Sequence, residues 1–448
     1  MAEEIRGDIE GAKNEQLRAA ANYPETQIIN QKLEWFQDQK LGVIFHWGLY
    51  AEAGIVESWQ LSEKDEWARE PVAWRDNIKD LQRDYWNLIE TFNPTEFDAR
   101  ALARLCKEAG FKYMIFTTKH HDGFHMWDTK MSDYKIGGPK SPLKRDLYGE
   151  VVEAFRAEGL GIGAYYSKAD WYSPYYWSKP DTIKGRSADY DPLEDPELWN
   201  KYVDFVHQEL EEITQNYGPV DILWLDGGWC GMGREDLRMD EMAEKVRRTN
   251  PDLLMVDRMM GGRHENYVTP ERKIPAVSEI PNKPWESNIP IADDWGFTPD
   301  DDYKSSRDLI ISIIDVASKG GNIILGFGPD GKGIIPQASL DFLADLTSWM
   351  KQNNEGIYNT RALAYQIDHR KWFITQKENQ LYAYYPLENE QAATLTISKA
   401  ELDGKTIKSI QTLDTGEQVP FEMKGEAYIL TMPQKTFRFD IASFKMSV

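Results

Sequence analysis

Short apolar runs alternate with amphipathic helical stretches from residue 41 to residue 353, and several of the runs end in a cluster of polar side chains. Leu41–Trp47 (LGVIFHW) stops at Gly48, and Tyr113–Thr117 feeds TKHHDGF. Gly161–Tyr166 follows, then Val220–Leu225, which ends in Asp226-Gly227-Gly228. Leu253–Val256 ends near Asp257 and Arg258, Ala276–Ile280 is a further strand candidate, and Asn322–Phe327 leads into GPDGKG. Helical spacing falls on Glu96–Gly110, Leu147–Glu158, Leu198–Asn216, Met239–Thr249, Asp308–Ser318 and Leu340–Asn353, after a mostly helical lead-in from about Asp8 to Lys40. Repeated strand–helix order predicts an α/β fold. A (β/α)8-like, TIM-type barrel gathers the carboxyl ends of its strands at one face, where its active site belongs. An open doubly wound sheet is the alternative, but the glycine-rich phosphate loop it normally carries after an early strand is missing.

After about Asn354 the pattern changes. Trp372–Thr375, Leu381–Tyr385, Ala393–Ile397, Ile407–Leu413, Ala427–Thr431 and Thr436–Ile441 alternate with period two and are separated by polar or glycine-containing turns. This predicts a C-terminal antiparallel β-sandwich. The expected division is a catalytic barrel with its lead-in over 1–353 and a sandwich over 354–448.

Acidic residues outnumber basic ones by 74 to 52, a formal charge of −22, so a nucleic-acid partner is not expected. The two cysteines, Cys106 and Cys230, form no CxxC pattern, which argues against a disulfide scaffold and a cysteine metal centre. The opening MAEEIRGDIEGAKNEQ has no apolar signal core, and no long uncharged apolar run exists to span a membrane. The expectation is a cytoplasmic protein with no membrane partner.

Asp226 ends an apolar strand, where its carboxylate can attack an anomeric carbon or cap a turn. TTKHHDGFHMW places His120, His121 and His125 close together, with Asp122 between them. Imidazoles can hold hydroxyl groups or a metal ion, but no strong zinc spacing is present, and no metal or organic cofactor is expected. His46 adds a polar group at another strand end. Glycosidic cleavage gives these groups a use: one ionised carboxylate attacks C1, and a protonated carboxyl donates to the departing oxygen. Candidate acids after Arg258 are Glu265, Glu271, Glu279 and Glu286, among which periodicity does not choose.

FHWGLY, FTTKHHDGF, YYS, LWLDGG, the later VDR and TPE, and GPDGKGIIP occur in an order and spacing that resemble the α-L-fucosidases of glycoside hydrolase family 29. The resemblance runs from about Gln31 to Asn353 and continues into the β-rich segment. It implies a retaining, exo-acting enzyme that removes terminal α-L-fucose from oligosaccharides or glycoconjugates. By the same resemblance Asp226 is the nucleophile, Trp224 points into the pocket, and His46, His120 and His121 hold fucose hydroxyls. Tyr166 matches a pocket tyrosine and Arg258 the residue that supports the carboxylates. Glu57 and Trp59 fall where the family carries a Glu-Trp pair, here interrupted by Ser58. The acid/base varies in position within the family. Glu271, in TPE, is preferred, and Glu286, in PWE, is its rival and otherwise a substrate-binding group. Trp59, Trp127 and Trp224 are candidates for an apolar surface facing the sugar's methyl group, and Asp170–Trp177 (DWYSPYYW) for the aglycone side. The chain reads GNIILGFGPDG where many relatives read GNLLLNVGPDG, so Gly326 replaces an asparagine. The competing readings are another barrel glycosidase acting on a different α-linked hexose, a sugar-binding protein without catalysis, and a metal-dependent hydrolase using the histidine loop.

Overall fold

The computed structural model describes residues 24–258, 263–364, 371–388 and 393–448. The part of the helical lead-in before residue 24 lies outside them; the rest is helix α1, Gln27–Gln39, which Thr26 caps by accepting from the Ile29 amide.

Strands β1 (Leu41–Phe45), β2 (Tyr113–Lys119), β3 (Gly161–Ser167), β4 (Ile222–Asp226), β5 (Leu254–Met255), β6 (Glu286–Pro290) and β7 (Asn322–Phe327) form one parallel sheet. Its order is β5-β4-β3-β2-β1-β7-β6. Between the outer strands lies an irregular segment. Tyr267 bridges Val256 on one side, while Val268 and Glu271 bridge Trp285 and Asn288 on the other, all in parallel. The segment takes the place of an eighth strand and closes the wall into a (β/α)8-like barrel.

Short helices α2 (Leu49–Ala53) and α3 (Ile78–Asn87) follow β1, ahead of the crossover helix α4 (Ala99–Ala109). The remaining helices are α5 (Leu147–Ala157), α6 (Pro196–Asn216), α7 (Met239–Val246), α8 (Ser306–Ser318) and α9 (Gln337–Asn353). Their starts are set by side chains: Asp98, Asp146, Asp195 and Ser305 each accept from an amide of the first turn, and Pro196 sits just inside α6. Gly110 ends α4, as expected. Among the described residues no α-helix separates Met255 from Tyr267 or Glu271 from Glu286.

Ala276–Ile280 is not a strand. It folds as a 3-10 turn in which the Glu279 amide donates to Ala276 O at 2.9 Å and Glu279 is exposed. The strand in this part of the chain is β6, ESNIP, buried along its whole length despite its polar residues.

Beyond α9, strands β8 (Arg361–Ala362), β9 (Phe373–Lys377), β10 (Gln380–Pro386), β12 (Ser409–Thr412) and β15 (Ile441–Ser447) form an antiparallel five-stranded sheet. Strands β11 (Thr394–Ser398), β13 (Phe421–Lys424) and β14 (Ala427–Thr431) form a three-stranded one. Both sheets bury side chains in a shared core that includes Leu381, Ile397, Leu430 and Phe444. Thr436–Ile441 is not a strand but an irregular stretch with a 3-10 turn at Arg438–Asp440, where Phe439 has φ 54°, and the last strand begins only at Ile441. Arg307 of α8 ties the sandwich to the barrel by donating to the Leu387 and Phe439 carbonyls at 3.0 and 3.2 Å.

Candidate active site

Strand alternation decides which side chains enter the barrel. Tyr165 pairs in register with Trp224, and Tyr166 with Leu225. Tyr165, Trp224 and Asp226 therefore share the inner face. Tyr165 stacks on Trp224, with centroids 5.6 Å apart, and its hydroxyl donates to Asp226 Oδ2 at 2.5 Å. Tyr166 points outward, where its hydroxyl donates to Glu209 of α6 at 2.6 Å. The pocket tyrosine is thus Tyr165, one residue before the one expected.

Arg258 joins two carboxylates. Its Nη1 and Nη2 each donate to Glu271 Oε2 at 3.1 Å, and Nη1 lies 3.7 Å from Asp226 Oδ1. The guanidinium also lies over the Trp224 ring, 4.9 Å from its centroid. Both carboxylates thus face the same guanidinium nitrogen. Burial acts to raise the Asp226 pKa, but the Arg258 charge and the Tyr165 hydrogen bond outweigh it and hold the carboxyl well below its usual range. Asp226 is ionised and Glu271 is 26% exposed, enough for solvent to reach its carboxyl.

The histidines that directly follow β1 and β2 stand around this pair. Burial pushes His46 and His121 down to about 3 and His120 well below its ordinary value, so all three are neutral. His120 Nδ1 meets Ser58 Oγ, and His121 Nδ1 meets Ser167 Oγ, both at 2.5 Å. Ser167 spends its own proton on the Ala169 carbonyl, so His121 Nδ1 carries the hydrogen and Nε2 is left as an acceptor. That Nε2 has no hydrogen-bond partner among the described residues and lies 3.9 Å from Asp226 Oδ2. His46 Nδ1 is likewise unpartnered. Buried polar atoms left open beside an ionised carboxylate suit a hydroxylated ligand. Trp59 packs on the His121 ring at 4.8 Å and Trp229 on the same ring at 5.0 Å.

Several expected residues are elsewhere. Glu286 opens β6 at the amino-terminal end of the barrel, where it accepts from the Tyr113 hydroxyl and, at 3.2 Å, from Trp224 Nε1. It is fully buried, and both of its oxygens are already engaged by these two side chains. Glu57 is buried behind Trp295 and accepts from the Trp295 and Gly296 amides, both at 3.0 Å. Burial and then Asp294 raise its pKa to about 8, so it anchors the loop in protonated form near neutral pH. Trp127 faces α6, with Nε1 3.3 Å from Glu212, so it offers the sugar no surface. His125 turns to Glu209.

The residues that motif reading missed are Tyr165, Trp229, Trp295 and Lys168. Trp295 stacks on His46, with centroids 5.2 Å apart. It does so because position 326 is glycine: a Cβ there would lie 2.5 Å from Trp295 Cε3. Lys168 Nζ donates to the Arg258 carbonyl and holds the bridging residue in place.

Two groups of side chains could in principle hold a cation. Ligand atoms of His120, His121 and Asp226 come within 4.8 Å of one another, but Arg258 already sets a positive charge beside Asp226. His125, Asp170 and Glu209 form the second group, and the Lys119 ammonium fills it, 2.6 Å from Glu209 and 3.0 Å from Asp170.

Removing the Tyr165 hydroxyl should raise the Asp226 pKa, because a hydrogen bond to the charged form is lost. In Tyr165→Phe the acidic limb of the kcat/KM profile is expected to move to higher pH. Tyr166→Phe should leave that limb in place, and a pH–rate comparison of the two variants checks both. Glu286 carries a separate expectation. Burial pushes its carboxyl up to about 7 from an ordinary value near 4.5, so the folded chain keeps a proton that the unfolded chain releases. Its contribution to stability is complete below about pH 4.5 and is lost as pH rises through 7. Glu286→Gln should therefore gain stability relative to wild type between pH 5 and pH 8, measured by urea denaturation.

An ionised carboxylate and a second carboxyl bridged by arginine, at the carboxyl ends of a parallel barrel, are an arrangement that suits a glycoside hydrolase. A family model described as alpha-L-fucosidase matches residues 11–355, and the chain belongs to that family. An alpha-L-fucosidase of Dictyostelium discoideum is 25% identical over 369 residues, 78% of this chain and 77% of that one. Among solved structures, alpha-L-fucosidase isoenzyme 1 from Paenibacillus thiaminolyticus is 29% identical, with a TM-score of 0.78 over 94% of this chain and 99% of the other. The Thermotoga maritima alpha-fucosidase in complex with fucose is 25% identical, with a TM-score of 0.74 over 96% of this chain and 100% of that one.

Proposed function

We propose that this enzyme removes terminal α-L-fucosyl residues from oligosaccharides or glycoconjugates with net retention of configuration. The observation that carries the mechanism is Arg258 joining Asp226 and Glu271. Asp226, ionised and aimed from the strand end, attacks C1 while Glu271 protonates the leaving oxygen. Glu271 then takes a proton from water, which releases the sugar from Asp226. His46, His120 and His121 receive the sugar hydroxyls, and Trp224 supports the pair from below. Trp59 and Trp295 supply apolar surface for the methyl group in place of Trp127. Residues 1–353 form the catalytic unit, and the sandwich of 354–448 supports it from α8. The two free, buried cysteines suit a reducing cytoplasmic setting, which cell fractionation tests; no helix among the described residues is long and apolar enough to cross a membrane.

The test is hydrolysis of 4-nitrophenyl α-L-fucoside and the matched α-L-galactoside, with the first-formed anomer read by NMR. We expect α-fucose first and, because a buried extra hydroxyl is costly, at least about ten-fold higher kcat/KM for the fucoside. Full activity should survive exhaustive chelation. Equal rates on the two glycosides, or an inverted first product, would sink the assignment.

A further inference from the structure

Three indoles pack on the His121 ring, each carried by a different loop. Trp59, after β1, lies 4.8 Å from it, Trp171, after β3, 5.1 Å, and Trp229, after β4, 5.0 Å, between ring centroids. The Trp171 amide also donates to the His121 carbonyl at 2.8 Å. Ser167 fixes one nitrogen of the imidazole, and the indoles limit how far the ring can tilt about that bond.

One residue, Arg186, reaches all three indoles. Its carbonyl accepts from Trp171 Nε1 at 3.1 Å, from Trp229 Nε1 at 2.9 Å and from the Tyr176 hydroxyl at 3.1 Å. Its guanidinium lies over the Trp59 ring at 4.6 Å and the Trp229 ring at 5.6 Å. Asp65, from the loop after β1, holds that guanidinium still. It accepts from Arg186 Nε at 3.0 and 3.3 Å and from Nη2 at 2.7 Å. Asp65 is itself fixed by Ser62 Oγ at 2.6 Å and Trp67 Nε1 at 3.1 Å. The carbonyl survives any substitution at position 186, so a mutation there removes only the guanidinium. Lysine keeps the charge but can neither lie flat against two indoles nor grip Asp65 through two nitrogens.

Resting on the fucosidase reading, in which His121 receives a sugar hydroxyl, we propose that Arg186 is a positioning residue for the reaction. With Asp65 it clamps three loops into one aromatic wall, and that wall fixes the His121 ring and the direction of its open Nε2. Without the clamp the ring tilts, the hydroxyl is held at the wrong angle, and C1 drifts out of line with Asp226, whose Oδ2 lies 3.9 Å from the same nitrogen.

Arg186→Lys and Asp65→Asn break the clamp from its two ends, and His121→Phe keeps the ring's bulk while removing the acceptor. Arg186→Lys leaves a cation beside Asp65, so it reports even if Asp65→Asn fails to fold. kcat/KM on 4-nitrophenyl α-L-fucoside is measured for each single variant, and for each clamp variant combined with His121→Phe. We expect each clamp variant alone to lose about ten- to a hundred-fold, the scale of a misplaced reacting group. Combined with His121→Phe, the same change should cost less than about three-fold further, because no acceptor remains to be misdirected. A merely structural role would cost the same in both backgrounds. Equal losses in the two backgrounds, or clamp variants as active as wild type, overturn the proposal. Wild type that cleaves the aryl fucoside while the losses simply add leaves the fucosidase reading standing and this inference refuted. Wild type that does not cleave it sinks both.

Discussion

Asp226→Gly should lose about 10⁴-fold or more in turnover on every fucoside, because the first bond to C1 has no other partner. The loss should be nearly independent of leaving group, since the missing step is attack rather than protonation. Glycine also leaves a space bounded by Tyr165, His121 and Arg258. A small anion can enter that space and be held by the Arg258 charge and the Tyr165 hydroxyl. Added azide is therefore expected to restore measurable turnover of an activated aryl fucoside and to give the inverted, β-configured fucosyl azide. Chromatography and NMR of the product decide the matter. A variant with substantial activity and no azide, or an azide product of retained configuration, would remove Asp226 from the nucleophile's role.

Glu271→Ala should behave in the opposite way. Losing a general acid costs about 10²–10⁴-fold where the leaving group needs a proton. Fucosyl-lactose should suffer that loss, while an activated aryl fucoside should react at C1 almost normally and then stall at the covalent stage. Azide should relieve the stall by attacking in place of activated water, giving an azide of retained configuration. Pre-steady-state kinetics should show a burst of released phenol, which wild type lacks if its second step is fast. Arg258 would meanwhile keep its contact with Asp226, so the nucleophile stays ionised. Glu286→Ala is the control, and it should weaken folding without a leaving-group dependence, because its carboxyl is tied to Tyr113 and to Trp224 Nε1 and makes no hydrogen bond or ion pair with Asp226 or Glu271. An acid/base signature in Glu286→Ala with an unaffected Glu271→Ala would falsify the assignment.

Much of the barrel was legible in the sequence because its strands are apolar runs closed by glycine, and β7 falls on the residues that the pattern marked. The wall between β5 and β7 was not. Tyr267–Glu271 is held by isolated bridges, and β6 reads Glu-Ser-Asn-Ile-Pro, so neither carries an apolar period. That blindness explains the rivalry between Glu271 and Glu286. Once the register of Glu286 with Asn322 is known, it belongs at a strand's start and Glu271 at the opposite rim. The Tyr165–Tyr166 ambiguity has a similar origin: two adjacent tyrosines differ only in parity, and parity needs a partner strand to define inside. Residue type also misled at His125 and Trp127, which share a motif with His120 and His121 but lie further along the loop after β2 and fold back onto α6. At the C-terminus, IASFKMS alternates well enough to be a strand, but the run before it ends in the Phe439 turn and shifted the expected boundary.

Gly326 and Trp295 behave as one genetic unit. Any side chain at 326 would intrude on the indole, so a change there cannot be scored alone: it displaces the ring that lies on His46 and alters the sugar site from a distance. A double-mutant cycle across the two positions must therefore be non-additive. An asparagine at 326 requires the Trp295 ring to swing off His46 or to give way to a smaller side chain.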